Sequence, residues 1–179
     1  MPTYIAFLRG INVGGNNKVA MEDVKKAFAL LKFENVKTIL ASGNIIFTAP
    51  KHTNVALGRK ISAGLFDLLK TEIEVVIRSF DEIKSLADAQ PFKKIKVTPD
   101  TRLYVTFLAE PPKTQLTAPW TSPEKDLKIL TVSASEIVSV VTVNPSRNST
   151  DAMAFIEKQC GRKVTTRNWN TIEKILKAA

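Results

Sequence analysis

The chain has one cysteine and one histidine among its 179 residues. A lone Cys160 has no intramolecular disulfide partner, which fits a reducing compartment, and cytoplasmic residence is expected. A zinc site of histidine and cysteine ligands needs three or four such residues, so the composition excludes one. His52, in the loop Pro50-Lys51-His52-Thr53-Asn54, is left as the base for any Ser-His-Asp or Cys-His arrangement, and a solvated loop histidine is the plainer reading. No Asp-x-Asp cluster suggests a magnesium site, and no cofactor is expected. Long apolar runs are also missing. The first one is interrupted by Arg9, no basic segment precedes it, and nowhere do about eighteen apolar residues follow one another, so neither a signal peptide nor a membrane association is expected.

What the chain does have is positive charge: 26 Lys and Arg against 17 Asp and Glu, a formal charge of +9. That balance favours anionic partners, either a phosphate-bearing small molecule or nucleic acid. The excess is spread over Lys25, Lys26, Lys32 and Lys37, then Lys93, Lys94 and Lys96, then Arg162, Lys163 and Arg167. Lysines that solvate helix faces give the same pattern, so charge does not choose between a functional surface and simple solvation.

The apolar positions fall into a regular order. Thr3 to Leu8 is a continuous strand-forming run broken by the Gly/Asn-rich stretch Gly10 to Asn17. Met21, Val24, Phe28 and Leu31 have helical spacing behind the acidic opening pair Glu22 and Asp23. Val36 to Ala41 and Asn44 to Thr48 read as a hairpin around Ser42-Gly43, Leu57 to Leu68 as a helix, and Ile73 to Arg78 as a fourth strand. Ser79 and Glu82 then form a capping box for a short helix that Pro91 stops. Further strands are expected at Leu103 to Leu108, Leu127 to Val132, Ile137 to Val143 and Val164 to Thr165. The stretch holding Pro111, Pro112, Pro119 and Pro123 is expected to make at most a short helical turn. A helix around Phe155 and Ile156 ends at Gly161, and Trp169, Ile172, Ile175 and Leu176 mark a terminal helix capped by Asn168.

This order predicts an α+β chain of two ferredoxin-like units (βαββαβ, the α-β plait) packed together, with an extra C-terminal helix. The units are expected at residues 1–79 and 101–179, joined by a helical linker at 80–100. The first strand is apolar on both faces, so its sheet should be covered on both sides. That weighs against an RNA-recognition module, which leaves one sheet face open with base-stacking aromatics, and no such consensus surrounds Phe47.

Three polar segments stand out. Leu8-Arg9-Gly10-Ile11-Asn12-Val13-Gly14-Gly15-Asn16-Asn17-Lys18 lies between a strand and a helix, where backbone N–H groups can form an anion-binding concavity beside Lys18. Gly10 and Gly15 have the P-loop gap, but Asn16 and Asn17 stand where Lys and Ser/Thr are required, which argues against nucleotide hydrolysis. A tight loop built from glycines and asparagines explains the same residues. The second segment is Ala41-Ser42-Gly43-Asn44, also good turn chemistry. The third is Thr165-Thr166-Arg167-Asn168-Trp169-Asn170-Thr171, where Asn168 caps a helix or Trp169 and Arg167 together receive a base and its phosphate.

Leu-Arg-Gly-Ile-Asn-Val-Gly-Gly near the start, Ala-Ser-Gly-Asn before an apolar strand and Thr-Arg-Asn-Trp-Asn-Thr near the end, in that order, resemble the largely bacterial family known as domain of unknown function 1697. The resemblance implies two ferredoxin-like units and no defined activity. It singles out Arg9, Gly10, Asn12, Gly14, Lys18, Ser42, Gly43, Asn44, Arg167, Asn168 and Trp169 as motif positions. Family members often carry a Gly-rich turn and Ser-Lys-Leu before the penultimate helix. Here Asn144-Pro145-Ser146-Arg147-Asn148-Ser149-Thr150-Asp151 stands instead, with Arg147 in a position to replace the lysine's charge.

Three functional readings follow. In the first, Arg9, Asn12, Lys18 and Arg167 bind a phosphate-bearing ligand, with Gly10, Gly14, Ser42, Asn44 and Asn168 shaping the site and Trp169 stacking nearby. The second is an enzyme for a small anionic substrate, with Ser42 as nucleophile and a lysine or Asp151 as base. The third is a structural or partner-binding protein whose polar motifs fix turns.

Overall fold

The computed structural model describes residues 1–15, 17–112, 116–144, 146 and 149–179, with the side chains of 149–152 outside that description. Asn16, Arg147 and the carboxyl group of Asp151 therefore lie outside the described residues. The chain divides into two compact units, Met1–Ser85 with Thr171–Ala179, and Leu86–Asn170.

The first unit contains β1 (Thr3–Leu8), α1 (Met21–Leu30), β2 (Glu34–Ile39), β3 (Asn44–Thr48), α2 (Asn54–Leu69), β4 (Val75–Ser79) and the start of α3 (Phe80–Asp88). Its sheet is antiparallel in the order β2-β3-β1-β4. Because side chains alternate across a strand, Tyr4, Ala6 and Leu8 share a face with Ile45, Phe47, Val75 and Ile77, and that face packs on Val24, Ala27 and Phe28 of α1 and Leu57, Ile61 and Leu65 of α2. Phe28, Phe33 and Phe47 interlock at ring separations of 4.8 to 5.8 Å. The opposite face, with Ile5, Phe7, Ile46 and Val76, is buried too, as the two-sided apolarity of the first strand requires.

The second unit contains the rest of α3, β5 (Thr101–Leu108), β6 (Trp120–Thr121), β7 (Leu127–Val132), β8 (Glu136–Thr142), α4 (Ser149–Cys160) and β9 (Val164–Asn168); α5 (Trp169–Ala178) begins here and from Thr171 is counted with the first unit. The order is β6-β7-β8-β5-β9, again antiparallel throughout. Leu108, Leu127, Ile129, Ile137, Val141 and Val164 pack with Ile156 of α4. Leaving aside β6, both sheets run second, third, first, fourth strand. The registers correspond as well: β4 places Arg78 opposite Ile5, and β9 places Arg167 opposite Val105.

Several local expectations hold in detail. The capping box forms, with the Ser79 N–H donating to Glu82 Oε2 at 2.6 Å and the Glu82 N–H donating to Ser79 Oγ at 3.2 Å. Asn168 Oδ1 accepts from the Asn170 N–H at 3.0 Å ahead of α5. Others shift. β2 ends at Ile39 rather than Ala41 because Leu40 turns to φ +61. Of the apolar residues Leu57, Ile61, Leu65 and Leu68 that share one face of α2 by spacing, the first three are buried and Leu68 is 40% exposed. No helical turn occurs among the described residues of the proline-rich stretch. Trp120 and Thr121 there pair with Ile129 and Lys128 as an edge strand, a place where prolines, which lack a donor, are tolerated nearby.

Candidate functional site

The first and second polar segments meet at one end of the first sheet. Arg9 leaves β1 with its N–H on the Glu74 carbonyl, just before β4, and the Leu8 N–H reaches the Gly43 carbonyl at 2.8 Å. The connection to α1 then takes left-handed backbone at Gly10, Asn12, Gly14, Gly15 and Asn17. A Cβ at Gly10, Gly14 or Gly15 would meet nothing within 4 Å, so backbone angle and not space selects glycine there. Gly43 is required twice over: φ is +79, and a Cβ would fall 2.8 Å from Leu8 Cβ and from Ile11 Cδ1.

Asn12 organises this end of the unit. Its Nδ2 donates to the Val19 and Ala41 carbonyls, both at 2.8 Å, and its Oδ1 accepts from the Val19 N–H at 2.9 Å. Its own N–H meets the Asn17 carbonyl at 3.1 Å, and Asn17 Nδ2 returns to the Gly10 carbonyl at 3.2 Å. The loop is thus closed on itself and tied to the 40–43 turn. In that turn the fully buried Asn44 donates from Nδ2 to the Ile39 carbonyl at 2.9 Å and to Ser42 Oγ at 3.2 Å. The donor to Ser42 Oγ is an amide, which cannot accept a proton as a general base would. His52 is exposed, and its backbone N–H and carbonyl both engage the Tyr4 hydroxyl.

With Asn12 and Asn17 engaged in backbone bonds, the segment carries its charge at its two ends, on half-buried Arg9 and exposed Lys18. The α1 N-terminus that follows has no side-chain cap, and Glu22 and Asp23 occupy its first turn, paired with Lys25 and Lys26. Val13 and Leu40 expose apolar side chains, at 61% and 47%.

The third segment belongs to the second unit. Arg167 is only 8% exposed in β9, where its guanidinium donates to Thr165 Oγ1 at 2.6 Å and to the Thr166 carbonyl at 3.0 Å. Burial of the charged form pulls its pKa down to about 10. It is therefore part of the sheet and not a surface cation. Trp169, half-exposed, meets Phe92 edge to face at 5.1 Å. Thr165 reads in the sequence as the first residue of the third polar segment, and Phe92 does not stand out there, since it is a common residue whose relevance depends on a distant neighbour, Trp169. Burial raises the Cys160 pKa, which makes its thiol less reactive. Among the described residues, no group of three His, Cys, Asp or Glu side chains is placed to hold a metal ion, and no helix is long and apolar enough to cross a membrane.

A search of curated proteins finds no match to this chain. Among solved structures it is similar to the conserved bacterial protein SP0830 from Streptococcus pneumoniae, with a TM-score of 0.66 over 99% of this chain and 98% of that one. At 20% identity this likeness speaks for the fold alone. Residues 1–137 match a family described as protein of unknown function (DUF1697), a span that holds the Arg9 loop and the Ser42 turn and ends before Arg167. The chain belongs to that family.

Proposed function

We propose that this is a binding protein for a phosphate-bearing ligand, a nucleotide or a nucleic-acid phosphate, at the Arg9–Lys18 loop of the first unit. The observation that carries this reading is the loop's internal bonding. Asn12 and Asn17 hold its backbone, and Asn12 and Asn44 hold the adjoining turn, so an arriving anion meets a shaped loop and does not have to order one. In this reading Arg9 and Lys18 supply the charge, Gly10 and Gly14 the backbone geometry, and Ser42 the hydroxyl at the turn. The overall charge of +9 would assist encounter with an anion, as expected of a cytoplasmic binder of phosphates.

We read the two sheets as ferredoxin-like units of one duplicated plan, lying within residues 1–79 and 101–179. The shared strand order supports this, as does the recurrence of Tyr4-Ile5-Ala6-Phe7-Leu8 as Tyr104-Val105-Thr106-Phe107-Leu108 in equivalent strands.

The experiment is a thermal-shift screen against nucleotides, sugar phosphates and short oligonucleotides, run with the wild type, Arg9→Ala and Lys18→Ala. A ligand that binds only the native state raises the melting temperature. Stabilisation by a phosphate compound that is lost in either variant supports the site. Stabilisation by a nucleotide or sugar phosphate that survives both changes, or no stabilisation by any compound, overturns it. A second reading, a protein-partner surface at the same end, is favoured by the exposure of Val13 and Leu40. Under it, no phosphate compound shifts the melting temperature, and Val13→Ser leaves stability unchanged while abolishing co-purification of a partner.

A further inference from the structure

A second basic surface lies in the other unit. The segment after α3 reads Phe92-Lys93-Lys94-Ile95-Lys96-Val97, and Lys93, Lys94, Lys96 and Val97 are exposed. It is not a loose tail: the Lys93 N–H bonds to the Gln90 carbonyl at 3.0 Å, and the Ile95 N–H to the Phe92 carbonyl at 2.9 Å. Phe92 is buried and anchors the segment against Trp169. Strand register adds a fourth cation. Asn168 lies opposite Tyr104, so the chain beyond it leaves β9 at the end where β5 begins, with Arg102 two residues before Tyr104. Arg102 is fixed there by donating to the Pro99 and Thr101 carbonyls at 2.6 and 3.0 Å.

Charge is the deciding feature. Between residues 89 and 102 stand Lys93, Lys94, Lys96 and Arg102 against Asp100 alone. Among the described residues none of the three lysines makes an ion pair or a side-chain hydrogen bond, whereas Lys25, Lys26 and Lys163 each meet a carboxylate. Clustered like charges with no internal counter-ion are held at an energetic cost that a polyanion relieves. A half-exposed indole beside them adds what an acidic protein would not use, a flat partner for a base.

We infer that the Lys93–Lys96 turn, Arg102 and Trp169 form a binding surface for single-stranded nucleic acid, with the cations along the phosphates and Trp169 against a base. These residues belong to the second unit, and the inference does not depend on the reading given for the Arg9 loop.

The test is fluorescence anisotropy with a labelled single-stranded oligonucleotide across a salt series, using the wild type and a variant carrying Lys93→Gln, Lys94→Gln and Lys96→Gln. Solvent-exposed lysines make this variant fold as the wild type does, which its melting temperature checks. Wild-type affinity is expected to fall steeply with salt. The triple variant is expected to bind at least ~10-fold more weakly at low salt, with the log–log salt slope reduced by about 2. In a Trp120→Phe background, emission from Trp169 should be quenched on binding. Arg9→Ala should bind as the wild type does. The inference is overturned by absence of binding at low salt, by an unchanged affinity in the triple variant, by unchanged Trp169 emission, or by loss of binding in Arg9→Ala alone. Tighter binding to phosphatidylserine vesicles than to the oligonucleotide would also overturn it, in favour of a lipid surface.

Discussion

The two units share a strand order and differ in how the chain leaves the first strand. After β1 it enters a short loop that three asparagine-to-carbonyl bonds close, and it goes directly into α1. After β5 it runs through prolines into the two-residue edge strand β6, with no α-helix among the described residues before β7. The fourth strands are more alike: each carries a buried arginine, then a capping residue, then an aromatic that opens a helix, Arg78-Ser79-Phe80 in one case and Arg167-Asn168-Trp169 in the other. The lesson is that the sheets conserve what alternation and pairing demand, while the connections are free to differ. The connections are therefore where the two units can be told apart experimentally.

The largest test of this comparison concerns the cores. Phe47→Ala removes a ring that contacts Tyr4, Phe28 and Phe33, and should cost about 3–5 kcal/mol. Ile156→Ala in the second core should cost about 2–5 kcal/mol. If the units are energetically separate, chemical denaturation will show two transitions, and each substitution will move only its own. A single transition moved by both would mean that the units unfold as one.

Next come the glycines. Gly43→Ala combines left-handed backbone with close approach to Leu8 and Ile11, and should destabilise by about 3 kcal/mol. Gly161→Ala has the same backbone sign but open space, and should cost only about 1 kcal/mol. Equal losses in urea melts would show that packing around the first turn contributes little.

A third comparison sets Asn12 against Asn168. Asn12→Ala loses three side-chain bonds that close the loop and should cost about 2 kcal/mol, together with any response to phosphate ligands. Asn168→Ala loses one cap and should cost about 1 kcal/mol.

The smallest effect is on pH dependence, because one fourth-strand cap titrates and the other does not. Partial burial alone would raise the Glu82 pKa, but hydrogen bonds from Asn54 and Ser79 and the charge of Arg78 outweigh it and leave the pKa lowered. A folded-state pKa below the unfolded one means that this contribution is complete above the ordinary carboxylate range and is lost as pH falls through the lowered value. The melting-temperature gap between wild type and Glu82→Gln should therefore shrink on acidification, while that of Asn168→Ala stays constant.

Much of the fold was legible because the signals are local. The continuous apolar run Thr3–Leu8, helical spacing from Met21, and the Ser79–Glu82 pair each depend on residues within a turn or two of one another. β6 was missed because a two-residue strand has no period to read, and prolines on either side suggested a turn. At the Arg9 loop, glycine and asparagine announced left-handed backbone, and five such residues are found among those described there. Their chemical employment was not legible. Asn12, which reads equally as a ligand contact, has its amide engaged by carbonyls on both sides of the loop and turn.

What the amino-acid order determined by itself, then, was where the longer strands and helices run, which turns need glycine and which caps close them, since backbone sterics and short-range hydrogen bonds act between near neighbours. Only the tertiary structure decided that Ala41 receives the Asn12 amide, that Phe92 rather than a neighbour in sequence backs Trp169, and that Arg167 is buried in its sheet with a pKa of about 10 instead of facing solvent. Those outcomes depend on contacts between residues far apart in the chain, and such contacts exist only once the sheets have brought them together.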